Sequence, residues 1–135
     1  MTLKATTYQL LTTQPALTAR VPTERWFRRA GQVDAELTPY VVLAWLGTLT
    51  TGGRNSAELL DVYVHDELGS YSFIEATLAD IKAVLLGATH YRGTSGTGFP
   101  LVQADYLGKS GDQVDQSNGT SFQFSSWKIL GGGEA

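Results

Sequence analysis

The sequence holds 135 residues, 42% of them hydrophobic and 17% charged, with ten basic and thirteen acidic side chains and a net charge of −3. That length suits one domain able to bury a core of its own, and the apolar content excludes disorder over most of the chain. The acidic balance argues against a protein that neutralises nucleic-acid phosphates, and the lack of cysteine excludes a disulfide scaffold, thiolate zinc and thiol catalysis. Residues 1–7 lack the apolar core of a signal peptide. No run approaches the roughly 18 apolar residues of a membrane helix. The default location is the cytoplasm of the cell that makes the chain, with no membrane partner.

In chain order, Leu3, Leu10, Leu11 and Leu17 fall near helical spacing, and residues 3–13 contain neither glycine nor proline. The spacing predicts a helix there. Pro15 removes a backbone donor and disfavours helix at Gln14, so the helix breaks, with a short turn over 16–20. Residues 21–30 read as a strand-like arm carrying Trp26 and Phe27, and the polar stretch 31–37 as loop. Residues 40–50 follow Pro39, are rich in β-branched and aromatic types, and are the best strand candidate. Residues 51–56, with Gly52 and Gly53, read as loop.

Over 59–65 the pattern alternates. Leu60, Val62 and Val64 point one way, and Asp61, Tyr63 and His65 the other, so one face is expected buried and one exposed. A second helix follows. Ser72 is its expected cap, with Glu75 completing a capping box, and Gly87 its stop. Ile74, Leu78, Ile81 and Leu85 form its apolar stripe, with Asp80 and Lys82 on the other side. Residues 93–98 are a glycine-rich loop. Residues 100–107 and 121–130 are two further strands joined by the polar segment 109–120, and 131–135 is a flexible tail. No internal repeat is visible. Helix, strands, helix, strands is the order of an α+β fold: a single domain over 1–130, mostly antiparallel sheet, with two main helices packed on it.

No catalytic constellation emerges. Gly108-Lys109-Ser110 resembles the end of a phosphate-binding loop, but Gln103 occupies the position that needs glycine. The 93–98 stretch does not sit between a strand and a helix, as a dinucleotide cradle must. His65-Asp66-Glu67 invites a general-base or metal reading, yet neighbours on a strand point to opposite faces. Asp112 and Asp115 lack the alternating oxygen ligands of a calcium loop, and Asn118-Gly119-Thr120 is a glycosylation signal only in a secreted chain. The expectation is therefore no catalytic, metal or cofactor residue. Arg25, Arg28 and Arg29 interleave with Trp26 and Phe27, but three arginines are too few for a nucleic-acid surface. An arm whose aromatic residues dock on the domain or on another subunit fits them better.

The order of motifs carries a resemblance. A first helix leads into Gln14-Pro15-Ala16-Leu17-Thr18-Ala19-Arg20-Val21. There follow Thr38-Pro39-Tyr40-Val41-Val42-Leu43, then Leu60-Asp61-Val62-Tyr63-Val64-His65, then Gly69-Ser70-Tyr71 and the helix over 74–86. Over roughly residues 3–86, and more loosely beyond, the chain resembles the tail terminator (tail completion) proteins of long-tailed bacteriophages. The resemblance implies a virion protein of the tail neck, assembled in the host cytoplasm as a homo-oligomer, a hexameric ring that caps the head-proximal end of the tail tube. Its partners would be the tail tube protein and a head–tail connector or stopper, and it would have no enzyme activity or cofactor. Ring contacts are heterologous, and Arg25, Trp26, Phe27 and Arg28 are the candidate subunit interface. Gly52, Gly53, Arg54 and Asn55 are the candidate tube contact, with 93–98 as a second loop for that role. Another neck protein, a stopper or adaptor, is the alternative. A small hydrolase using His65 is a further one.

Overall fold

The computed structural model describes residues 2–28, 38–50, 56–97 and 100–131. Helix α1 (Leu3–Thr12) begins where the Thr2 hydroxyl accepts from the Ala5 N–H at 3.1 Å, an N-cap. It buries Leu3, Leu10 and Leu11. Buried Thr7 and Thr12 satisfy their hydroxyls by donating to carbonyls four residues back. Gln14 takes the extended conformation that a following proline requires, and Pro15 opens the one-turn helix α2 (Pro15–Thr18), where its missing N–H is no loss. The expected break lies where the proline places it.

Of the expected strand-like arm over 21–30, the described residues 21–28 hold two strand residues. A 3₁₀ turn (Thr23–Arg25) feeds β1 (Trp26–Phe27), which pairs parallel with Val41 and Val42. Pro22 heads the turn, and Val21 is fully buried, so the first half of that segment is a core plug and not a strand. Strand β2 (Tyr40–Thr50) and strand β3 (Ser56–Glu67) form a long hairpin, both extending as far as or farther than their patterns predict. Helix α3 (Tyr71–Gly87) buries Ile74, Leu78, Ile81 and Leu85, as its stripe requires.

The expected capping differs. Gly69, with φ of +87°, turns the chain directly out of β3, and its N–H donates to Ser121 Oγ. The helix therefore starts at Tyr71 with Ser70 as N-cap and no side-chain cap, leaving Ser72 exposed in the first turn. At the other end Gly87 is still helical, and Ala88 closes the helix in an extended conformation.

Strands β4 (Leu101–Lys109) and β6 (Thr120–Gly131) match the expected pair. Between them the polar segment contains a short strand, β5 (Gln113–Asp115), that sequence reading leaves as loop. The sheet runs β1-β2-β3-β6-β4, with β5 also on β6, and every pairing except β1–β2 is antiparallel. All three helices lie on one face. There Leu43, Leu60, Val62, Val64, Leu101, Trp127 and Ile129 meet α1, α2 and α3 in one core. Gly131, expected in the tail, is the last residue of β6 and pairs with Ser56 and Leu101.

Several buried positions are polar, and one of them carries an amide. Gln123 of β6 is fully buried on the helix side. Its amide donates to Glu75 of α3 and to Asp112, and its carbonyl accepts from Lys109 Nζ at 2.8 Å. Those partners, drawn from α3, the end of β4 and the loop after it, satisfy an amide that would otherwise be costly to bury.

Candidate functional site

Among the described residues no helix lies on the sheet face opposite α1, α2 and α3, and the residues of that face follow from register. Tyr40, His65 and Phe122 stand directly opposite one another across β2, β3 and β6; Val42, Tyr63 and Phe124 form the next row, and Ala44, Asp61 and Ser126 the third. The first row is a stack. Tyr40 and His65 are 4.6 Å apart at 12°, and His65 and Phe122 are 4.9 Å apart at 21°, with Phe27 edge-on to Tyr40 at 6.1 Å. Tyr63 lies 4.8 Å from Phe124, extending the aromatic surface to the second row. In the third, Ser126 Oγ donates to Asp61 at 2.7 Å.

This face departs from the expected exposure of Asp61, Tyr63 and His65. His65 is only 7% exposed and Asp61 is buried too. Neighbouring rings cover His65 from both sides, and the turn after β5 folds over its edge. Asp115 shapes that turn, accepting from the backbone and side-chain amides of Asn118, while Asn118 Nδ2 also donates to the Tyr40 hydroxyl at 3.3 Å. A cleft of about 650 Å³ remains beside the stack, lined by Val42, Tyr63, His65, Val114, Asp115 and Phe122 among others.

The electrostatics of His65 follow from this setting. Nδ1 shares a hydrogen with Thr120 Oγ1 at 2.9 Å. Burial pulls the imidazole down to about 4, against a weaker opposing pull from the Asp115 carboxylate, so the ring is neutral near pH 7. Burial likewise raises the Tyr40 and Tyr63 hydroxyls. His65 is thus a packed aromatic ring. His90 lies elsewhere, in a cleft between α1 and the end of α3 with Leu10, Val84, Tyr91 and Arg92. Among the described residues no three His, Cys, Asp or Glu side chains gather as a metal site.

The expected interface residues divide. Trp26 is 3% exposed in the subunit's own core, with Nε1 donating to the Val21 carbonyl at 2.8 Å, so its indole is not a surface for a neighbour. Arg25, Phe27 and Arg28 do lie around it at the β1 end of the sheet. Arg25 donates to the Thr38 carbonyl, and the Arg28 guanidinium sits 4.3 Å over the Tyr8 ring. Gly52, Gly53, Arg54 and Asn55 fall outside the described residues. Of the second loop, 93–97 is described; Thr94 N–H donates to Gln9 of α1, which ties it down. Lys109, weighed as part of a phosphate loop, is engaged with Gln123.

Sequence reading missed the aromatic face as a unit. Its signal was present: Tyr40 in β2, Tyr63 and His65 in β3, and Phe122 and Phe124 in β6, all on the polar side of the alternation.

No protein-family model matches the chain, and no curated protein matches it. Among solved structures, a chain of the virion of a native gene transfer agent (GTA) particle has the same fold. The TM-score is 0.74 at 17% identity, covering 97% of this chain and 95% of that one.

Proposed function

We propose that this chain is a structural virion protein that forms a ring, a hexamer by the terminator resemblance, at the head-proximal end of a phage-type tail tube. The ring ends tube polymerisation and joins the tail to the head connector. The observation that carries this reading is the whole-length likeness to a chain of a gene transfer agent virion, in which neither chain has a large unmatched segment. The order of motifs over residues 3–86 supports the terminator role in particular. In this reading His65 is a packing residue, stacked between Tyr40 and Phe122.

In this reading Gly52, Gly53, Arg54 and Asn55 contact the tube, since loops on a rigid sheet adapt to a partner. Arg25, Phe27 and Arg28 lie on the side that meets a neighbouring subunit. The test is to make particles without the protein and measure their tails by electron microscopy. Overlong tails without heads are the expected result. Normal tails joined to heads would refute the proposal, and tails of normal length that lack heads would make the chain a stopper or adaptor instead. Arg54→Glu in assembled particles tests the tube contact: unchanged tail length and head attachment remove that loop from it.

A further inference from the structure

The two outer edges of the sheet are open over similar lengths. Strand β1 covers β2 only at Val41 and Val42, so from Leu43 onward that edge has no strand partner among the described residues. The β4 edge is covered at its start, where Tyr91 bridges Leu101 and His90 N–H donates to the Val102 carbonyl; from Gln103 to Lys109 it too has no strand partner. The open part of β2 contains no charged residue and no proline, so it lacks two of the usual protections of a solvent-facing edge.

Each edge also carries the same local device. The register of β2 slips between Trp45 and Gly47, and that of β4 between Tyr106 and Gly108. The residue passed over is a leucine in both cases, and both are exposed, Leu46 at 60% and Leu107 at 57%. The aromatic residue before each lies under an ammonium group: Lys4 is 6.0 Å from Trp45, and Lys82 is 4.2 Å from Tyr106. Two aromatic-Leu-Gly bulges thus stand on opposite edges of one sheet.

We infer that these two edges are partners for each other in adjacent copies of this chain: the β2 edge of one subunit pairs with the β4 edge of the next, and Leu46 packs against Leu107. The inference rests on the ring reading and names the contact that builds the ring. Strand direction favours it. Within the subunit β2 and β6 run one way and β3 and β4 the other. A rotation that carries one subunit to the next preserves direction along the ring axis, so β4 meets the neighbouring β2 antiparallel. With the open stretches overlapped, the two leucines come close to opposite. The contact is heterologous, as ring closure requires, and adds strand to strand as edge recognition does elsewhere. Arg28 lines a cleft with Lys4, Leu43 and Trp45 beside the β2 edge, so the arm at β1 adjoins the same contact.

The chain has no cysteine, so engineered ones report cleanly. Leu46→Cys and Leu107→Cys are made separately and together in the 135-residue chain, produced with its own tails, and oxidised. Directly opposed residues on antiparallel strands lie about 4.5–5.5 Å apart between Cα atoms, within disulfide reach. The expected result is a disulfide-linked dimer from the mixed single variants, and a ladder of linked subunits from the double variant. Rings visible on the tails without any 46–107 link would overturn the edge pairing and leave the ring reading intact. Links only between identical positions would overturn it in favour of a two-fold dimer. A 46–107 link in open chains instead of rings would support the edge pairing while refuting the ring.

Discussion

The burial of His65 makes a stability difference that pH alone should reveal. In the unfolded chain its imidazole titrates near 6.5, and in the folded stack near 4, because a proton there would place a charge between Tyr40 and Phe122. Between those values the unfolded state binds the proton and the folded state does not. Stability from this group is therefore complete above pH 6.5 and is lost as pH falls toward 4. At about 1.4 kcal/mol per pH unit, the full loss is about 3 kcal/mol. Carboxylates titrate in the same window, so a comparison is needed. His65→Phe keeps a flat ring in the stack and removes the titration. Urea unfolding of both proteins at pH 7.5, 6, 5 and 4.5 measures the difference. The wild type should lose about 2–3 kcal/mol more than the variant from the highest to the lowest pH. Parallel curves would show that His65 is not held neutral by burial.

Other substitutions test the packing. Ile81→Ala, in the fully buried stripe of α3, should destabilise by about 2–5 kcal/mol. Asp80→Ala removes only a partly exposed ion pair with Arg20 and should cost under about 1 kcal/mol in the same urea melts. Trp26→Ala should cost about 3–5 kcal/mol by thermal or urea unfolding, as a core residue must; a small effect would return Trp26 to the surface. Gln123→Leu leaves Lys109, Asp112 and Glu75 without their shared amide and should lower stability by about 1–3 kcal/mol, read by calorimetry.

Period and punctuation made most elements legible. Ile74, Leu78, Ile81 and Leu85 could only be a helix stripe, and Pro15 could only end α1. Strand β2 was legible to the residue because Pro39 precedes it and β-branched and aromatic types fill it. The misses arose where tertiary contacts outweighed local pattern. Val21 has strand propensity, yet it plugs the core below Trp26. Residues 113–115 read as polar loop, yet pair with β6 because its edge beyond β4 is free there. The outer face read as exposed because Tyr63 and His65 alternate with valines; their cover comes from side chains contributed by two other strands, which no local window contains. The edge bulges were equally hidden, since Leu46 continues an apolar run and only register shows that it is passed over.

The central position of β6 has a consequence for how the protein comes into being. It pairs with β3, β4 and β5 and supplies Trp127 and Ile129 to the core, yet among the described residues it is the last strand in chain order. During synthesis the β2–β3 hairpin and α3 emerge first and have nothing to close the sheet between β3 and β4. The long-range pairings that stabilise the domain form late. A chain stopped before Thr120 keeps an uncovered β3 edge and lacks Trp127 and Ile129 in its core. The topology thus makes the synthesis of β6 a condition for closing the core.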